Sequence, residues 1–508
     1  MKRFLGIEFG STRIKAVCID ENFAPASSGE YSWKSEFKNG IWTYDLSLVL
    51  EGLKTALADI KDRENISSVG ISGMMHGYLA FDKDWNLLTP FRTWQNTITA
   101  PAAKELSSAL NFNIPQRWSI AHLYQAVLNG EEHLKSLAHI TTLAGYVHYL
   151  LTGEKVLSIG EASGVFPIDS KKCDYDEKML LKAQELFDKK GANISLKEVL
   201  PKVLVAGDKA GALTKKGADL ICNMLPEGIP FAAPEGDAGT GMVATNAVAE
   251  KTGNVSAGTS IFSMVVLEKP LKKVYEEIDL VTTPSGKAVA MVHCNNCTAD
   301  SNAWVSLFKE VASLFKDDIN IGDLYEKLYK KALEGESNCG GVTVCNFLSG
   351  ESIVGFSEGR PFVVRRPDSN FTLANFMRAT IYSSIVSLKI GMEILDNENV
   401  KIDSLMGHGG LFKTKGVAQN FMASALKTPV TVMKTAGEGG PFGMAVLAAF
   451  ILEKGQNEKL EDFLNDKVFK TAEKSTVTPK DEITRGFEEY TEQFKKALSV
   501  EKTAVEVF

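Results

Sequence analysis

One turn, used twice, constrains this chain more than any other feature. Gly10-Ser11-Thr12 and Gly258-Thr259-Ser260 are each a glycine followed by two hydroxyl residues. Apolar runs flank both: residues 4–9 and 14–19 around the first, 254–257 and 261–267 around the second. Short apolar runs punctuated by a glycine turn predict β-hairpins. Each hairpin heads one half of a 508-residue chain, so the repeat is domain-sized. Glycine lets backbone amides approach an anion closely, and hydroxyls add donors. One such tip is an ordinary hairpin, but two in equivalent places, with a third glycine cluster at Gly407-His408-Gly409-Gly410, suit a phosphate-binding protein.

Helical spacing follows each hairpin. Val49, Leu53, Ala56, Leu57 and Ile60 predict a helix, and residues 69–72 predict a buried strand that runs into Gly73-Met74-Met75-His76-Gly77. In the second half Trp304, Leu307, Phe308 and Val311 predict a helix, as do residues 373–395 and the alanine- and glycine-rich 440–452. Strands end at Leu405-Met406 and cover 430–432, and residues 481–500 form an amphipathic tail helix expected to pack on the outside. Strands alternating with helices give an α/β fold with mixed sheets. The boundary is expected near residues 244–252, dividing the chain into 1–246 and 247–508. Trp33, Phe37, Trp42 and Tyr44 are expected to pack on the first sheet, and Trp304 in the core.

A chain of this length exceeds one hydrophobic core. Its net charge of −7, with no basic block, argues against nucleic acid or an anionic membrane as partner. No run reaches the roughly 18 apolar residues of a membrane span. The seven cysteines are an odd, scattered set in which Cys294 and Cys297 alone form a C-x-x-C, which fits reduced thiols and a cytoplasmic protein better than disulfides or zinc.

Asp237 is the candidate base. It precedes a small-residue stretch, 238–247, able to begin a helix, whose terminal amides would keep the carboxylate ionised. On pattern alone, an N-cap fits equally well.

Together these segments resemble the FGGY carbohydrate kinases. Ile7-Glu8-Phe9-Gly10-Ser11-Thr12-Arg13-Ile14-Lys15 is similar to the family's opening phosphate loop, and Ile71-Ser72-Gly73-Met74-Met75-His76-Gly77 to the GxMHG segment of xylulose kinases. Glu235-Gly236-Asp237-Ala238-Gly239 resembles the catalytic Gly-Asp segment, Val255-Ser256-Ala257-Gly258-Thr259-Ser260 the second phosphate loop, and Phe347-Leu348-Ser349-Gly350-Glu351 the (F/Y)LSGE segment. Gly407-His408-Gly409-Gly410, with Gln419 and Ala423, resembles the adenosine-binding segment, and Glu438, Gly443 and Ala445 the closing helix.

The resemblance implies two actin-like (ribonuclease-H-like) ATPase domains with a central interdomain cleft, using ATP and Mg²⁺ to phosphorylate a sugar, in the first instance an open-chain ketose such as xylulose. Asp237 is then catalytic. Gly10, Ser11, Thr12, Lys15, Gly258, Thr259, Ser260, Gly409 and Gly410 bind ATP, and Glu8, where the family has aspartate, helps place the metal. Met75, His76, Trp94 and Asn96 line the sugar site. Asn96 stands where the family has an acid, Ala238 replaces a usual polar residue, and residues 114–124, with Arg117 and Trp118, match xylulose kinases poorly. The departures cluster on the sugar side, which leaves ribulose-, rhamnulose- or gluconate-type substrates, polyols, or a sugar sensor without transfer as alternatives. An ATPase driving a partner protein fits less well, because it does not account for Met75-His76. A homodimer is compatible with this reading.

Overall fold

The computed structural model describes residues 2–433 and 439–508. By contacts the chain forms two compact units: Met1–Ala249 with Lys273–Ala290 and Glu438–Thr471, and Glu250–Lys272 with Met291–Gly437 and Ala472–Phe508. A single division at 246/247 would put residues 273–290 and 438–471 in the second half, whereas they pack with the first unit.

The first unit is built on a mixed sheet. Arg3–Phe9 pairs antiparallel with Arg13–Ile19, which pairs with Pro25–Ser32. On its other side Arg3–Phe9 runs parallel to Ile66–Gly73, with Pro230–Ala232 and Lys209–Ala212 beyond and Glu235–Gly236 on the far end. Phe4, Leu5, Ile7 and Phe9 are all buried, so the opening strand is covered on both faces and reads as a continuous apolar run. The helix Leu48–Ala58 buries Val49, Leu53, Ala56 and Leu57 in the same core. The helix Gly439–Glu453 is apolar all round, as a buried helix must be. It lies so close to the sheet that a methyl on Gly6 would strike the backbone of Pro441 and Ala445.

Register places five polar residues in one row across this sheet. Glu30 pairs with Lys15, Lys15 with Glu8, Glu8 with Ser72, and Ser72 with Glu235. Paired residues on adjacent strands project to the same face.

In the second unit the strands run in the order Ala288–Cys294, Ile261–Val266, Thr252–Ala257, Ser404–His408, Val430–Met433, Lys474–Val477. The helix Leu373–Asn397 is buried along most of its length. The tail helix, Asp481–Val507, is less peripheral than expected. It buries Phe487, Tyr490 and Phe494, and the Tyr490 hydroxyl bonds the carbonyls of Val344 (3.0 Å) and Ala379 (3.1 Å).

Trp33 and Tyr44 join the first core as expected, but Phe37 and Trp42 stand exposed on the hairpin Glu36–Lys38/Ile41–Thr43. Trp304 is half-buried, edge-on to Phe376. All seven cysteines are free thiols. No helix among the described residues is long and apolar enough to cross a membrane.

Candidate active site

Strand Glu235–Gly236 feeds directly into helix Asp237–Ala244, so Asp237 occupies the first helical position. Its Oδ1 accepts from the amides of Ala238 (2.9 Å) and Met75 (3.2 Å). The side chain reaches water, yet enough protein surrounds it that burial outweighs the two amides and lifts its pKa to about 6. The expected lowering by the helix terminus is therefore outweighed, but the carboxylate is still largely ionised at neutral pH.

Glu8 lies in the same electrostatic neighbourhood. Burial, then the charge of Asp237, push it up to about 8, against the pull of Lys15 and Arg13. Its carboxylate fills the space where a side chain on Gly440 would go, with the Thr240 hydroxyl alongside. This packing explains why the closing helix begins with glycines. Glu438, just before it, lies outside the described residues.

The first tip is closed by Gly10 N–H donating to Arg13 O (2.9 Å). Its carbonyls are taken by Trp33 Nε1 on Gly10 (2.7 Å), the Tyr44 hydroxyl on Ser11 (2.7 Å) and Trp33 N–H on Thr12 (3.1 Å). Lys15 sits half-buried in the following strand, opposite Glu8. In the second unit, Gly258 N–H donates to Ser260 O (2.9 Å), and Cys297 N–H and Thr298 N–H donate to Thr259 O (2.9 Å) and Gly258 O (3.1 Å). In both tips the glycine amide closes the turn and these carbonyls are occupied, which leaves the amides and hydroxyls of Ser11, Thr12, Thr259 and Ser260 as the donors a phosphate could use. Gly409, at φ 102° and ψ −179°, occupies backbone space open only to glycine, and a side chain there would meet the Ala257 backbone. Gly410 has open space around it. Glu351 of the (F/Y)LSGE segment is buried and accepts from the amides of Asn295 and Asn296 (both 3.2 Å), so its role in the unit is architectural.

Of the residues expected to line a sugar site, Met75 and His76 are buried. His76 adopts φ 68°, its Nδ1 bonds Gly164 O (3.2 Å), and its ring stacks on Trp118. Burial, assisted by the nearby Arg117 charge, pushes its pKa down to about 3, so the ring is neutral. With Nδ1–H spent on the carbonyl, Nε2 is left as an acceptor. Trp94 is exposed.

Asn96 does not offer what was expected of it. It is buried, its Oδ1 accepts from Trp42 N–H (2.8 Å), and its Nδ2 donates to the carbonyls of Trp42 (2.8 Å) and Thr93 (3.0 Å). Oδ1 and one donor fasten the 36–43 hairpin, and the second donor closes locally on Thr93. An aspartate would place negative charge against two carbonyls, so this chain's departure from the family acid has a structural reason.

Three features escaped the sequence reading. Arg117 pairs with Asp279, and Asn113 Nδ2 donates to the carbonyl of Ile278 (3.0 Å), tying residues 273–290 to the sugar side of the first unit. Glu235 and Glu161, both fully buried, stand behind Asp237. Glu235 was visible beside the base; Glu161 gave no signal beyond its glycine-flanked segment, Gly160-Glu161-Ala162-Ser163-Gly164. Among the described residues no three His, Cys, Asp or Glu side chains come together as a metal cage.

Comparison with known proteins accounts for this arrangement. The model of the FGGY carbohydrate kinase N-terminal domain matches residues 3–244, and that of the C-terminal domain residues 253–452. The xylulose kinase of Haemophilus influenzae is 23% identical over 485 residues, covering 91% of this chain and 93% of that one. Among solved structures, gluconate kinase from Lactobacillus acidophilus superposes with a TM-score of 0.81 at 18% identity, covering 99% of both chains. Ligand-bound xylulose kinase from the same organism superposes with a TM-score of 0.80 at 17% identity, covering 99% of this chain and 100% of that one. These likenesses carry the two-domain, actin-like ATPase fold, and the family matches span nearly all of the sequence: the chain belongs to the FGGY family of carbohydrate kinases.

Proposed function

We propose that this kinase transfers the γ-phosphoryl group of ATP to a primary hydroxyl of a neutral open-chain sugar, a ketose of the xylulose type first. ATP use follows from the family. The observation that carries the reading is Asp237: a water-accessible carboxylate, fixed through Oδ1 by two amides, with Oδ2 left to receive a proton. As the acceptor hydroxyl forms its bond to the γ-phosphorus and the bond to the β–γ bridging oxygen breaks, its proton passes to Asp237. The neutral ring of His76 accepts a hydrogen bond from a sugar hydroxyl through Nε2, with Met75 beside it and Trp94 at the exposed edge of the site. Asn96 acts indirectly, by holding the hairpin.

Ser11, Thr12, Thr259 and Ser260 offer amides and hydroxyls to the phosphates, Gly10 and Gly258 let them approach closely, and Lys15 balances charge next to Glu8. Gly409 and Gly410 leave room for adenosine. Glu8 fits Mg²⁺: it is a hard oxygen donor near a strand end, within the electrostatic reach of a second carboxylate, Asp237, and Mg²⁺ needs one or two carboxylates besides phosphate oxygens and water. When bound, the ion supplies neutralisation of the phosphate charge.

A neutral substrate is favoured over a sugar acid because Arg117, the cation nearest His76, is already paired with Asp279. A cytoplasmic site of action, where ATP is available and thiols stay reduced, belongs to the same reading.

The test is ADP release over a panel of ketoses, polyols and sugar acids, with Asp237→Asn as control. That variant is expected to lose about 10³-fold in kcat while still binding ATP. Wild-type turnover in Asp237→Asn would remove the base, and turnover confined to sugar acids would remove the substrate class.

A further inference from the structure

Two buried acids behind the base are interlocked. The Glu161 carboxyl lies against Gly236, next to the Met75 side chain, where any side chain on residue 236 would collide with it. Reciprocally, the Glu235 carboxyl lies against Gly160, again leaving no room for a side chain, and against Gly239. Each glutamate therefore occupies the space left by the glycine that neighbours the other in sequence. Glu235 has donors: the Ser158 hydroxyl at 2.5 Å and Gly236 N–H at 2.8 Å. Neither oxygen of Glu161 meets a hydrogen-bonding partner in good geometry, and neither reaches solvent. The short helix that carries it, Ile159–Ala162, is pinned by Thr282, whose hydroxyl donates to Ile159 O (3.0 Å) and whose amide donates to Ser163 Oγ (3.0 Å).

A carboxyl this deeply buried, with no well-formed hydrogen bond to either oxygen, is held uncharged, since an isolated buried carboxylate is too costly to keep. The charges that act on Glu161 agree in sign. Glu235 and Asp237 are acids, the Thr142 hydroxyl is the one group that favours ionisation, and Tyr175, which feels Glu161 in turn, is held undissociated. Of the elements packed on its helix, Ile278–Thr282 contributes Asp279, which is committed to Arg117, and Lys202–Leu204 contributes an exposed lysine. The site thus has no cation to compensate a charge on Glu161. Glu161 lies against Gly236, immediately before Asp237, and shares the space over that glycine with the side chain of Met75, whose amide bonds Asp237 Oδ1.

We propose that Glu161 is a positioning residue for phosphoryl transfer: its protonated carboxyl, interlocked with Glu235, fixes the Met75 and Gly236 backbone that orients Asp237, and its ionisation releases them. This rests on Asp237 being the base. The kinase would then carry an alkaline limit to kcat that belongs to the Glu161–Glu235 pair and not to the reacting groups.

The experiment is the pH profile of kcat and KM, with the best acceptor from the panel, for wild type, Glu161→Gln and Glu161→Asp. Glutamine keeps the shape but cannot ionise, so its alkaline midpoint should move up by about one pH unit or more, with KM for ATP within about twofold of wild type. Aspartate keeps the proton but withdraws the contact, so kcat should fall about tenfold with the alkaline limb retained. Thermal melts of the same proteins at neutral and alkaline pH separate misfolding from misalignment: Glu161→Gln should lose less stability than wild type on going alkaline. A residue with a merely structural role would change the melts and leave the limb in place, and an unmoved limb in a folded Glu161→Gln overturns the proposal. Loss of turnover in Asp237→Asn together with that unmoved limb overturns this inference alone; retained turnover in Asp237→Asn overturns both.

Discussion

The two glycine-hydroxyl tips are the same turn solved in two ways. In the first unit, the carbonyls of Gly10, Ser11 and Thr12 are capped by donors from Trp33 and Tyr44, aromatic residues packed in the core beneath. In the second, the carbonyls of Gly258 and Thr259 are capped by the amides at the start of helix Thr298–Ser313 and by the Thr298 hydroxyl (2.8 Å). Either way the turn's carbonyls are occupied and its glycine amide closes the turn, so the donors left to meet an anion are those of the two hydroxyl residues. The tips differ in what precedes them. Two residues before Gly10 stands Glu8, in register with Lys15; two residues before Gly258 stands Ser256, in register with Phe262. The same turn thus occurs twice, but Glu8 stands before the first copy and Ser256 before the second, and the first copy lies in the unit that also carries Asp237. On the proposed reading, the first unit then adds proton and metal chemistry to phosphate binding.

The largest expected break in that symmetry comes from Glu8→Gln against Ser256→Ala. The first should cost about 10²-fold in kcat and raise the Mg²⁺ concentration needed for half-maximal rate, while the second stays within about threefold. Equal losses at both positions would mean that the tips are functionally alike.

Asn96→Asp, which restores the family's acid, should lower stability by about 2 kcal/mol because it sets a carboxylate against the carbonyls of Trp42 and Thr93. Urea melts measure it, and a gain in turnover without loss of stability would return residue 96 to the sugar.

The units should also part in their response to pH. His76, His122 and His148 of the first unit are held neutral by burial, with pKa values near 3, 3 and 4, and so is His408 of the second, near 4. The unfolded chain binds these protons from about pH 6.5 downward and the native state does not, so stability is lost as pH falls through that range. Glu8, Glu235 and Asp237, raised to about 8, 7 and 6, and Glu161, raised well above its ordinary value, work in the opposite sense: the native state holds their protons longer, and stability falls as pH rises from about 4 toward 8. The first unit should therefore be most stable near about pH 5–6 and melt earlier on either side, with the acid side dominated by the histidines. Calorimetry at about pH 4, 5.5 and 8 reads this directly; a profile with no maximum would contradict it.

The smallest effects concern the braces. Trp33→Phe removes the bond to Gly10 O, and Thr298→Val removes the hydroxyl bond to Gly258 O; each should cost about 1 kcal/mol in chemical denaturation. Trp33→Phe should also raise KM for ATP if the brace sets the aim of the tip.

Much of this was legible because it is local. A hairpin is decided by a few consecutive residues, so both tips, their strands and the helices Leu48–Ala58, Leu373–Asn397 and Gly439–Glu453 follow from periodicity and turn chemistry. The placing of Asp237 at a helix start is equally local. Asn96 was misread because its spacing from Trp94 says nothing about Trp42, whose backbone consumes it from 54 residues away. Phe37 and Trp42 were misread because hydrophobicity alone does not tell a core strand from an exposed hairpin.

By itself, then, the sequence determined the kind of chain this is: a duplicated α/β protein with glycine cradles, an acid before one of them and an aspartate opening a helix. Tertiary structure decided which charges meet. The row from Glu30 to Glu235 exists only through strand register, and Glu161 lies against Gly236, next to Asp237, only because glycines at 160 and 236 let two distant segments interpenetrate. Electrostatic and packing energies depend on distance in space, and for residues far apart in the chain that distance is fixed only when the fold is complete.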